Sequence, residues 1–110
     1  MGIRYLEDGY TDSLDGVIVA LCKDYSRRKE SQSAAQYSKR TLMEYDYIDS
    51  ILERATAEIV GVTDAQAMIG EIGDRIGYAY SSIEDMSEST YKNMKREVKM
   101  NIAKKLHMLG

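Results

Sequence analysis

No proline interrupts this chain of 110 residues, and apolar side chains recur at helical spacing four times along it. Proline is the strongest helix breaker, and a 3.6-residue period gives each segment one stripe to bury. No stretch alternates apolar and polar residues as a half-buried strand would. The first stripe is Leu14, Val17, Ile18, Leu21 and Tyr25, with Thr11 or Asp12 as N-cap, and it predicts a helix over about 12–30. The second is Thr41, Tyr45, Ile48, Leu52, Ala55 and Ile59, closed by Gly61, and predicts a helix over about 36–60. Polar residues 30–33 mark a break between the two, or lie inside one continuous helix. The third stripe, Ala65, Met68, Ile69, Ile72, Ile76 and Tyr80, follows the caps Thr63 and Asp64 and predicts 64–80. Ser81-Ser82-Ile83-Glu84 reads as a capping box opening a short helical turn near 82–86. The last stripe, Tyr91, Met94, Val98, Ile102, Leu106 and Leu109, is capped by Ser87 or Ser89 and predicts 88–109. The expected fold is all-α, a single-domain bundle of four main helices spanning 1–110.

Phe and Trp are absent, so the nine tyrosines are the only rings. Tyr25, Tyr45, Tyr80 and Tyr91 fall on apolar stripes and should be interior; Tyr5, Tyr10, Tyr37, Tyr47 and Tyr78 have no assigned place in the core. One cysteine, Cys22, and one histidine, His107, exclude a disulfide framework or a Cys/His zinc site within one chain. Cys22 borders the first stripe and reads as a small hydrophobe; His107 reads as a terminal surface residue without a nucleophile to serve. Asp46, Asp49 and Glu53 share a helix face, and Glu84, Asp85 and Glu88 surround a turn, but such groups are more often solvated than metal-bound. There is no phosphate-cradling Gly-Lys-Ser/Thr loop. No cofactor, metal or catalytic residue is expected, and the chain reads as non-enzymatic. Without an apolar run of membrane length or a basic, apolar leader, a cytoplasmic protein is expected.

Charge is divided along the chain. Residues 1–90 hold nine Lys/Arg against seventeen Asp/Glu, whereas 91–110 hold six against one. The last helix is therefore basic and follows an acidic block, 62–90, which it can face within a chain or between subunits. Alternatively Lys92, Arg96 and Lys99 along one edge, with Lys95 nearby, form a surface for nucleic acid or an acidic partner. A second basic group, Tyr25 with Arg27, Arg28 and Lys29, either complements the helix dipole or combines stacking with phosphate contact. Gly70, Gly73 and Gly77 fall in one sector of the third helix, where each glycine costs about 1 kcal/mol relative to Ala. They read as a strip for close helix packing, or as a groove for a flat ligand.

Ser81-Ser82-Ile83-Glu84-Asp85-Met86-Ser87-Glu88-Ser89-Thr90-Tyr91-Lys92-Asn93-Met94-Lys95-Arg96-Glu97-Val98 resembles the end of a sigma-like helix–turn–helix. It is similar to small late-gene regulators of phages of Gram-positive bacteria, in which Ser-x-Ser-Thr-Tyr opens the recognition helix. That resemblance places Ile83 on the preceding helix. The whole chain also resembles small all-helical prophage-type proteins, which implies regulation, assembly, or inhibition and ligand sequestration aimed at host defence. The function expected is a homo-oligomeric helical binding protein that occupies a host protein or sequesters a small charged, nucleotide-like ligand. Transcriptional regulation through duplex DNA, bound by the last helix, is the alternative.

Overall fold

Helix α1 (Asp12–Ser31) begins at the expected cap: Thr11 Oγ1 accepts the Leu14 N–H at 3.1 Å. The computed structural model describes residues 9–31 and 39–108, with side chains over 9–29 and 46–108. The α1–α2 junction, the expected start at 36, the side chains of Thr41 and Tyr45, and Tyr5, Tyr37 and Leu109 lie outside these. Helix α2 (Lys39–Val60) is separated from α3 (Val62–Gly73) by Gly61 alone, at φ 89° and ψ 160°. That conformation is essentially restricted to glycine, so one residue suffices to turn the chain. Helix α3 thus starts at Val62, two residues before the expected position.

Helix α3 also stops early, at Gly73 instead of near residue 80. Arg75 sits in the left-handed region at φ 54°. Around it Ile76 N–H donates to the Glu71 carbonyl at 2.9 Å and Arg75 N–H to that of Ile72 at 3.2 Å. This is a Schellman termination built on arginine where glycine is usual. Helix α4 (Glu88–Lys105) ends likewise, with His107 at φ 58°, Met108 N–H on the Ala103 carbonyl and His107 N–H on that of Lys104. It ends four residues before the expected position. Ser87 Oγ caps its start, accepting the Thr90 N–H at 3.2 Å.

Between α3 and α4 the chain makes a 3-10 turn (Tyr78–Tyr80) and then a non-helical run to Ser87. The helical turn expected near 82–86 does not form. Ser81 and Ser82 spend their hydroxyls on Glu71 instead of capping. Ile83 is buried, but in extended chain and not on a helix. Fourteen residues therefore separate α3 from α4, far more than the turn of a helix–turn–helix.

The four helices make an all-α bundle: α3 packs against α1 and α2, and α4 closes the other side against α2 and α1. Ile18, Cys22, Tyr25, Leu52, Ala55, Met68, Ile69, Ile72, Tyr91, Val98 and Ile102 form the core. Three residues depart from the expected pattern. Val17 is 45% exposed and Tyr80 85% exposed, the latter because α3 ends seven residues before it. Tyr10 is fully buried, since its hydroxyl donates to Asp15 at 2.8 Å. Among the described residues no helix is long and apolar enough to cross a membrane.

The glycine strip resolves into three different roles. A Cβ on Gly73 would lie 2.6 Å from Lys23 N and 2.7 Å from Lys23 Cα, so α1 and α3 touch backbone to backbone there. A Cβ on Gly70 would just meet Ser26 Oγ at 3.4 Å. Gly77 lies beyond the helix and faces open space, so the close packing expected of it is absent.

Candidate functional site

Half of the basic group at the end of α1, Tyr25 and Arg28, is absorbed into the fold. Arg28 bonds both Asp24 on its own helix and Asp49 on α2, and the Arg28 and Asp49 side chains are each only 10% exposed. Burial raises the Asp49 carboxyl above its ordinary value, opposed by the Arg28 charge. Tyr25 is buried and donates to Glu53 Oε2 at 2.6 Å; burial, then that bond, pushes its hydroxyl far above the ordinary tyrosine range. Lys29 lies over the Tyr25 ring at 5.3 Å and Arg27 is exposed. Arg28 and Tyr25, expected to contact a ligand, instead tie α1 to α2. On the acidic face of α2, Asp46 and Glu53 are exposed, as expected, whereas Asp49 is buried and pairs with Arg28; Glu53 also accepts the Tyr25 hydroxyl.

The second basic group is arranged differently. Lys92, Lys95 and Lys99 line one pocket of about 240 Å³ with Arg75, Tyr78 and Tyr91. Among the described residues no acidic side chain lines it. Beneath it, Lys99 is buried and bonded to Asp15 at 2.9 Å, the carboxylate that also takes the Tyr10 hydroxyl. Lys95 donates to the Ile76 carbonyl and lies 5.4 Å from the Tyr91 ring centroid. Burial, then the Lys99 charge, lowers its pKa below the ordinary 10.5. Lys92 is exposed and pairs loosely with Glu88 at 3.7 Å; Arg96 is exposed outside the pocket. The sequence pointed to the lysines but not to Arg75, which the end of α3 brings over to α4. Tyr78, one of the tyrosines without an assigned place, meets Tyr91 at 5.8 Å and donates to the Met86 carbonyl at 2.9 Å.

Three ion pairs of α4 can be named, and one of them, Lys92 with Glu88, joins the basic helix to the acidic 62–90 block. The others reach Asp15 on α1 and Glu58 on α2, the latter through Lys105 at 2.9 Å.

Glu71 is the acidic residue of that block with the largest structural role. Buried on α3, it accepts Ser81 Oγ at 2.6 Å, Ser82 N and Oγ at 2.9 and 2.8 Å, and Tyr91 Oη at 2.7 Å. Burial alone would raise its pKa, but these bonds outweigh it and hold the carboxyl below the ordinary 4.5. Tyr91 is pushed up to about 12, by burial and then by the bond to Glu71. On the far side of the 76–82 segment lies an open groove of about 530 Å³ between α1 and α3, walled by Tyr80 and floored near Gly70. Its charges are mixed: Lys29 against Glu71 and Asp74.

Cys22 is buried, and burial pushes its thiol up to about 12, in keeping with a packing role. Among the described residues no group of three His, Cys, Asp or Glu is placed to hold a metal ion. No family model, curated protein or solved structure matches this chain.

Proposed function

We propose that the protein is a non-enzymatic helical binding protein that captures a small phosphate-bearing ligand between the end of α3 and α4. The observation that carries this reading is the pocket lined by Arg75, Lys92, Lys95 and Lys99 and, among the described residues, by no carboxylate. Asp15 and Glu88 offset two of these charges in part, leaving a surplus that suits a phosphate group of about −1.5 to −2. The volume falls below the roughly 300–1,000 Å³ of pockets that enclose drug-sized ligands, so it fits a phosphate or one phosphoryl end of a larger molecule. Tyr78 and Tyr91 give a ligand aromatic surface beside the cations. Sequestration of a nucleotide-like ligand also accords with the likeness to small prophage-type proteins.

Duplex DNA along α4 is less well supported. Of the four basic residues expected to serve it, Lys95 and Lys99 turn inward, and only Lys92 and Arg96 stay exposed. Calorimetric titration with inorganic phosphate, a nucleoside monophosphate and a short duplex separates the two. Binding of the phosphates that weakens with salt and with Arg75→Met or Lys92→Met is the expected result. Duplex binding without phosphate binding would replace this reading with the regulator.

A further inference from the structure

We infer that anion binding in the cationic pocket releases the 76–82 strap, so that occupancy of the pocket reshapes the groove on the strap's other side. The inference rests on the anion-binding reading above and concerns its regulation.

The strap is held by polar bonds more than by burial. Tyr78, Ala79 and Tyr80 are exposed, and Ile76 is only half-buried. Besides the bond from the Tyr78 hydroxyl to the Met86 carbonyl, two polar anchors hold it. At the Glu71 anchor, the carboxylate takes the Ser81 hydroxyl and the Ser82 hydroxyl and N–H. At the Ile76 anchor, its carbonyl accepts Lys95 Nζ and, at 3.3 Å, Tyr91 Oη. Segments held by few apolar contacts open at low free energy.

Tyr91 links the two anchors. Its hydroxyl is 2.7 Å from Glu71 Oε1 and 3.3 Å from the Ile76 carbonyl. A phenol has one proton to donate, so it can satisfy only one of them at a time. While Lys95 occupies the Ile76 carbonyl, the Tyr91 proton is available to Glu71. An anion in the pocket competes for Lys95, and a charge-assisted bond to phosphate is stronger than one to a neutral carbonyl. Once Lys95 turns to the anion, the Tyr91 proton must serve either Ile76 or Glu71, and one anchor loses a donor whichever it serves. Ile76 lines both the pocket and the groove, and Tyr80 and Ser82 line the groove, so loosening the strap alters the groove wall.

The test is native-state hydrogen exchange, read by NMR on the full chain at the Ser82 amide, with inorganic phosphate added against chloride at equal ionic strength. The Val98 and Ile102 amides serve as controls, and calorimetry reads binding separately. Phosphate should speed Ser82 exchange about tenfold and leave the controls unchanged. Lys95→Met should speed it without phosphate, and Lys95→Arg, which keeps a cationic donor, should restore slow exchange. Phosphate binding with Ser82 exchange unchanged or slowed overturns the coupling and leaves the binding reading intact. Unchanged Ser82 exchange in Lys95→Met, with helical content preserved, also overturns the coupling. Absence of phosphate binding overturns both.

Discussion

Tyr25 to Lys29 on α1 and Tyr91 to Lys99 on α4 are alike as sequence: each sets a buried tyrosine against several cations on a helix. Their surroundings separate them. The α1 group meets α2 across Asp49 and Glu53, which take Arg28 and Tyr25. The α4 group meets the end of α3, which brings a backbone carbonyl from Ile76 and a further cation, Arg75. Carboxylates convert the first group into a helix–helix clamp. Where the second lines the pocket no carboxylate is present among the described residues; Asp15 and Glu88 offset Lys99 and Lys92 from outside the lining. What the neighbouring helix contributes decides which basic cluster is neutralised and which lines a pocket, and local sequence does not contain that information.

Five substitutions would break or sharpen this contrast. The largest effect is expected from Arg28→Met. Removing one partner of a buried ion pair leaves the others unmatched, so urea unfolding should show a loss of about 3–5 kcal/mol. Lys92→Met, at the exposed pair with Glu88, should change stability by less than about 0.5 kcal/mol. Equal losses in the two variants would erase the distinction between clamp and pocket.

Gly73→Ala comes next. The new Cβ would meet the Lys23 and Cys22 backbone below 3.0 Å, so α1 must shift, at about 1–3 kcal/mol. Gly77→Ala meets nothing, and at φ −87° it strains nothing, so its thermal midpoint should stay or rise slightly. Arg75→Met should leave the fold almost as stable as before but weaken phosphate binding about tenfold, a loss of about 1.4 kcal/mol.

The smallest effects are those of pH. The Glu71 carboxyl is held below 4.5, so its bonds to the strap are fully present above that value. They are lost only as pH falls through the lower folded-state value, and Ser82 protection should follow. Lys95 is displaced downward, so the folded chain releases that proton before an ordinary lysine would. Phosphate affinity should therefore begin to fall at a pH below 10.5. With its thiol near 12, Cys22 should not react with a disulfide reagent at pH 8 until the chain unfolds.

The helices were legible because periodicity and caps are local properties. Thr11, Gly61 and Ser87 act where the sequence puts them. The ends of α3 and α4 were not legible, since Arg75 and His107 occupy positions that glycine or asparagine usually marks. Periodicity alone therefore carries the third stripe on to Tyr80, which the structure exposes, and gives no sign of the strap. Tyr10 escaped notice because its place depends on Asp15, a buried carboxylate that no apolar stripe reveals. Of the pocket, Lys92 and Lys99 were visible on one edge of α4 with Lys95 nearby, whereas Arg96 of that edge lies outside it. Arg75 and Tyr78 join them only through the fold of residues 74–80.

The most direct test of the central claim is calorimetric titration of inorganic phosphate into the wild-type chain, the double variant Arg75→Met/Lys92→Met, and Arg27→Glu as a surface control on α1. The pocket account predicts saturable binding to the wild type and to Arg27→Glu, and loss of binding in the double variant with helicity retained. Binding that survives in the double variant, or disappears in Arg27→Glu, would contradict it.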